Sequence, residues 1–159
     1  MSGICIRDFR VADTDGVLAL IAALQGHERA LYDRMKPADE VTYTYLDHVK
    51  SEAEEHGGAL IVAEIGGQIL GYATLLAQVA CEDIDEIPNS YAYIGDLIVA
   101  ETSRGQGIGQ ALLLECENRA RKAEQRWLRL SVLAANGNAR AAYRAMGFRE
   151  HLLTLEKSL

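Results

Sequence analysis

Arg104 is followed by glycine at alternate positions, Gly105, Gly107 and Gly109, and then at once by the leucine-rich run QALLLE. Glycine is a poor residue with which to open a helix unless something must come very close to the backbone. The chemistry that asks for such an approach is anion binding, in which free N–H groups at a helix N-terminus face a phosphate, helped by the positive end of the helix dipole. Two common phosphate loops do not fit. A Walker loop carries a lysine after its last glycine, and Gln110 stands there instead. A dinucleotide fingerprint needs GxGxxG on the first strand, whereas this run is one residue short and lies late in the chain.

A strand must deliver the chain to these glycines and a helix must carry it away. YAYIGDLIVA, rich in β-branched and aromatic residues, is the strand. Ile108, Ala111, Leu112, Cys116, Ala120 and Ala123 recur at helical spacing and predict an amphipathic helix of about four turns. Upstream, ICIRDFR alternates as a half-buried strand. Asp13 or Asp15 is a candidate N-cap for a first helix that breaks near Gly26, and a second helix follows Pro37 and ends at Gly57-Gly58. ALIVAEI and QILGYATLLAQVA are joined by Gly66-Gly67, a two-residue hairpin turn. Downstream, RWLRLSVLA alternates as a strand with Leu128, Leu130 and Val132 on one face. NARAAYRAM is a short helix closed by Gly147, and FREHLLTLEKSL supplies one last strand or two short ones. The predicted order is β-αα-β-β-β-α-β-α-β(β), an α+β arrangement on a mixed sheet, in one domain spanning residues 1–159.

Composition narrows the function. At 159 residues, 49% apolar and 25% charged, the chain reads as an ordinary globular domain. A formal charge of −7 argues against nucleic-acid binding, which needs clustered lysine and arginine. No apolar run approaches the ~20 residues of a membrane span, and MSGICIRDFR lacks the apolar centre of a signal peptide, so a cytoplasmic location is expected. Cys5, Cys81 and Cys116 are odd in number and widely spaced, which suits reduced packing residues rather than a disulfide framework or a metal pair. No metal is expected.

R-x-x-G-x-G at Arg104, Gly107 and Gly109, preceded by DLIVAETS, closely resembles the coenzyme-A loop of the GCN5-related N-acetyltransferase (GNAT) family. Downstream, NGNARAAYRAMGF resembles that family's N-x-x-A-x-x-x-Y-x-x-x-G-F segment at Asn136, Ala139, Tyr143, Gly147 and Phe148. The resemblance implies the acyl-CoA N-acyltransferase fold with its central strands splayed apart. It implies acetyl-CoA as co-substrate, with the backbone of Arg104, Gly105, Gln106, Gly107, Ile108, Gly109 and Gln110 at the pyrophosphate. Leu97, Ile98 and Val99 would pair with the pantetheine arm, and Asn136 would bond it or cap its helix, or both. A strand N–H would stabilise the oxyanion, a contribution of about 2.7–4 kcal/mol in known cases.

In the family pattern Tyr143 donates a proton to the departing thiolate and, with an ordinary pKa of about 10, is protonated at neutral pH. Its other reading is a half-buried aromatic of an alanine-rich helix. A base is also needed, because an alkyl amine with a pKa near 10.4 is neutral in only about four molecules in ten thousand at pH 7. Asp96 is the candidate, against a plain strand-end or solvated carboxylate. Gly95 stands where some relatives carry glutamate. The acidic run Glu82, Asp83, Asp85 and Glu86 is either an attractor for a cationic amine or a solvated loop. His27, Tyr32, Tyr43 and Tyr45 lie in the early helices that wall the acceptor pocket in the family, or are core or surface residues.

These readings converge on transfer of acetyl from acetyl-CoA to a primary amine, a small cationic amine or a peptide amine, by direct attack in a ternary complex. A non-catalytic acyl-CoA sensor is the alternative. A nucleotide switch would lack its P-loop lysine. Oligomeric state stays open, with a homodimer among the possibilities.

Overall fold

The computed structural model describes residues 3–159. The sheet runs in chain order: β1 (Cys5–Asp8), β2 (Ala59–Ile65), β3 (Gln68–Ala80) and β4 (Ser90–Val99) are antiparallel, and β5 (Leu128–Leu130) lies parallel to β4. Helices α1 (Thr14–Leu31) and α2 (Thr42–Glu55) connect β1 to β2. Helix α3 (Ile108–Lys122) connects β4 to β5, and α4 (Gly137–Ala145) follows. This is the expected α+β mixed sheet.

Side chains alternate across the sheet and build two cores. On one face Ile61, Ala63, Ala73, Leu75, Ala92 and Ile94 pack against Ile108, Leu112, Leu113, Cys116 and Ala120 of α3. On the other, Leu60, Val62, Tyr72 and Ile98 pack against Val17, Leu18, Leu20 and Ile21 of α1 and Leu46 and Val49 of α2. The β2–β3 hairpin forms as expected, with Gly66 and Gly67 both at positive φ. Asp13 does precede α1 but does not cap it. Its carboxylate instead takes two bonds from Arg7, at 2.7 and 2.8 Å, and one from the Arg10 N–H at 2.7 Å. The guanidinium of Arg7 holds the Asp13 carboxyl below its ordinary value.

Three expectations fail. Helix α1 does not break at Gly26 but runs on to Leu31, because an exposed glycine in an otherwise good helix costs only about 1 kcal/mol. Strand β5 is three residues long and stops before Val132. No strand forms after α4 among the described residues: residues 149–159 are exposed and irregular. Their ion pairs lead elsewhere, Glu150 to Arg140 and Arg144, and Glu156 to Arg34. A three-residue β5 is a poor template for extending the ladder. Of the cysteines only Cys116 is buried; Cys5 is exposed and Cys81 partly so.

Leu112 is fully buried at the centre of the α3 core. Leu112→Ala is expected to cost about 2–5 kcal/mol in urea unfolding, and a loss below about 1 kcal/mol would show that this core is not tightly packed.

Candidate active site

The site begins with one extra residue in β4. Ala73 pairs with Leu97 and Leu75 with Ile94, so Gly95 and Asp96 together face the single residue Thr74. Such a bulge shifts the alternation by one. Ile94 and Leu97 thus share the α3 face, while Asp96 and Ile98 turn to the α1/α2 face. Without the extra residue Asp96 would share the face of Ile94 and lie under α3. A Cβ at Gly95 would sit 2.7 Å from Thr74 Oγ1, the same atom that accepts the Asp96 N–H at 2.8 Å. The glutamate that some relatives carry here would therefore not fit without moving Thr74.

Asp96 is only 8% exposed. Its Oδ1 accepts the Tyr45 hydroxyl at 2.8 Å, and its Oδ2 the Tyr72 hydroxyl at 3.1 Å. Burial pushes the Asp96 carboxyl above its ordinary value, against the opposing pull of the two tyrosine bonds. Burial and the Asp96 charge together push both tyrosines up, so both stay protonated. Of the early aromatics, only Tyr45 joins this cluster. Tyr43 is 68% exposed, and Tyr32 stacks under Arg34 and accepts its Nε at 2.8 Å. His27 is exposed, and so is the run Glu82, Asp83, Asp85 and Glu86 between β3 and β4. Tyr72 and Thr74 were not foreseen, because in sequence they look like ordinary strand residues.

Beyond the bulge, β4 and β5 part. Their pairing ends at Ile94 and Leu130, so Gly95–Val99 has no strand partner on that side among the described residues. The N–H groups of Asp96 and Ala100 point toward β3, to Thr74 Oγ1 and Leu70 O. By alternation the amides of Leu97 and Val99 point into the gap. Ile98 points the other way, its side chain buried in the α1/α2 core. Of the three residues expected along this edge, two present their main chain to it.

The gap leads to the glycine turn. Gly105 and Gly107 have φ of +76° and +83°, conformations that other residues adopt only with strain. Gly107 is the N-cap of α3 and bears no capping side chain, so the first amides of the helix, from Ile108 to Gln110, are left without helical partners. Ile108 is itself buried and anchors the turn, while Arg104, Gly105, Gln106, Gly107 and Gln110 are exposed. Arg104 Nε lies 3.5 Å from Val99 O, at the mouth of the gap. A Cβ on Gly109 would make only ordinary contact, 3.6 Å from Val99 Cγ2.

Tyr143 lies on α4, half-buried. It packs on the α3 core and edge-on to Phe148, with ring centroids 5.9 Å apart. Its hydroxyl has no hydrogen-bond partner among the described residues. Burial, then the charges of Glu28 and Asp96, raise its pKa. Asn136 caps α4, its Oδ1 accepting the Ala139 N–H at 3.2 Å, which leaves its amide NH2 free for another partner. Glu28, near the end of α1, was also not foreseen. It is half-buried, and burial and Asp96 raise its pKa.

The site is thus a mixed sheet that opens beside a bulged strand, with a glycine turn following that strand. The sequence matches the profile of the acetyltransferase (GNAT) family over residues 23–148, and the chain belongs to that family. It is 26% identical over 150 residues to an N-alpha-acetyltransferase of Sulfurisphaera tokodaii, covering 91% of this chain and 80% of that protein. Among solved structures, a mutant of the BH1408 protein from Bacillus halodurans superposes with a TM-score of 0.84 at 23% identity, over 98% of this chain and 99% of that one. Glucosamine-6-phosphate N-acetyltransferase from Arabidopsis thaliana superposes with a TM-score of 0.69 at 15% identity, over 98% of each chain. These superpositions show the fold.

A carboxyl raised in the folded state favours folding when protonated, below its ordinary value of 3.8, and loses that contribution as pH rises through its folded value. Asp96→Asn removes the titration. Its urea midpoint relative to the parent chain should therefore climb as pH rises above about 4, whereas a difference flat in pH would show that Asp96 is not a desolvated acid.

Proposed function

We propose that this protein transfers acetyl from acetyl-CoA to a primary amine by direct attack in a ternary complex. The observation that carries the reading is the unpaired edge of β4, with two amides turned into a gap and the glycine turn that opens α3 following the same strand. Pantetheine would lie along Leu97–Val99 as an added strand, and the pyrophosphate would rest on the amides of Arg104–Gln110. Asn136 would use its free NH2 on the arm while capping α4. The family supports acetyl transfer. The archaeal relative's name makes a peptide α-amine one candidate acceptor, and a small cationic amine is the other. A cytoplasmic setting, where acetyl-CoA is at hand, goes with this reading.

The chemistry follows from the groups in place. A β4 amide holds the thioester oxygen as the amine lone pair attacks the carbonyl carbon. A C–N bond forms and the C–S bond then breaks. The leaving sulfur takes the Tyr143 proton, for which a raised pKa keeps the phenol loaded. The amine's surplus proton passes to the Tyr45 hydroxyl, which gives its own to Asp96 at 2.8 Å. A buried carboxylate with a raised pKa is a better base than an exposed one.

Free thiol release from acetyl-CoA, followed against diamines, amino sugars and peptides, tests the reading. Tyr143→Phe should lower kcat by about 10²–10⁴ with coenzyme-A affinity unchanged within twofold. If coenzyme A binds but no amine speeds thiol release, the protein is an acyl-CoA sensor instead.

A further inference from the structure

Helix α1 carries Val17, Ile21, Leu24 and Glu28 at spacings of four, three and four, which puts all four on one face. Val17 and Ile21 are buried, and Leu24 packs on the same core with Tyr72 and Ile98. One turn further along this sheet-facing stripe, an apolar side chain is replaced by a carboxylate. Helix α1 packs over β3 and β4, on the face to which the bulge has turned Asp96, and Glu28 feels the Asp96 charge.

The two acids differ in what they can still do. Both oxygens of Asp96 are engaged by tyrosine hydroxyls, and its charge is fixed in place. Among the described residues, Glu28 has no ion pair, and no arginine or lysine pairs with Asp96. Arg7 pairs instead with Asp13 and Glu64, and Arg34 with Glu156. Each acid lies within the field of the other, so a cation placed between them would relieve an unfavourable pair. The charges of Glu28 and Asp96 also reach Tyr143.

We propose that Glu28 is the specificity-determining residue that receives the ammonium group of the acceptor, with Asp96 fixed behind it. This rests on the acetyl-transfer reading for its setting but makes a separate claim about binding. The ligand chemistry is an alkyl ammonium that lies within reach of both carboxylates before it loses its proton and attacks. An uncharged or acetylated amine is not held.

Calorimetry on the coenzyme-A-saturated chain tests it, with 1,4-diaminobutane and trialanine as amines and N-acetyl-trialanine as the blocked control. Glu28→Gln should weaken binding of the amines at least tenfold while leaving coenzyme-A affinity within twofold. Glu28→Asp, which keeps the charge, should recover part of the loss. Tighter binding of one amine then separates a small diamine from a peptide α-amine as its source. Equal binding to Glu28→Gln and the parent chain, or no saturable amine binding to the parent chain, overturns the assignment. Thiol release is scored separately. Turnover with amine binding unaffected by Glu28→Gln sinks the role of Glu28 and leaves acetyl transfer standing. Binding lost in Glu28→Gln with no turnover in the parent chain sinks acetyl transfer and leaves Glu28 as an ammonium site.

Discussion

The bulge at Gly95–Asp96, set against Thr74, is the constraint on which the rest depends. By adding one residue to β4 it turns Asp96 out of the α3 core and into contact with Tyr45 and Tyr72. Glycine is required at its first position because Thr74 Oγ1 occupies the space a Cβ would need. The same threonine oxygen satisfies the Asp96 N–H, so the irregularity leaves no buried donor unpaired. Bulges raise local twist, and β4 leaves β5 immediately beyond this one.

An open strand edge in the middle of a sheet is ordinarily a liability, since its amides invite pairing with another chain. Here the edge is short and runs on into the turn of Arg104–Gly107. Its unpaired amides and those at the start of α3 are both donors without partners, and in the proposed reading they receive the amide-bearing arm and the phosphates of coenzyme A. At the bulge, Asp96 gathers the hydroxyls of Tyr45 and Tyr72. Burial raises Asp96, Tyr45, Tyr72 and Tyr143 together, so the site keeps protons on its phenols and gives its carboxylate a stronger hold on a proton.

Much of this was legible in the sequence, for local reasons. The turn at Gly105–Gly109 and the hairpin at Gly66-Gly67 announce themselves because positive φ favours glycine. The helix after the turn follows from its apolar spacing. What escaped depends on pairing. The bulge leaves no mark in sequence beyond a glycine beside an aspartate, and Tyr72 and Thr74 acquire their roles only from the register opposite it. Leu128, Leu130 and Val132 alternate well, yet the ladder stops at Leu130, because the splay of β4 removes the partner. The C-terminal leucines suggested a strand, but Glu150 and Glu156 are drawn to arginines of α4 and of the α1–α2 connection. Glu28 was findable: a charged residue on the register of Val17, Ile21 and Leu24 breaks the apolar stripe.

The central claim is that the open edge of β4 and the glycine turn form one continuous seat for coenzyme A. Amide chemical shifts followed during titration with coenzyme A test it most directly. The account predicts saturable shifts confined to Leu97, Val99, the segment from Arg104 to Gln110, and the cap of α4 at Asn136, all fitting one dissociation constant. Shifts that saturate at the turn while Leu97 and Val99 stay still would contradict it, leaving a phosphate site with no place for the arm.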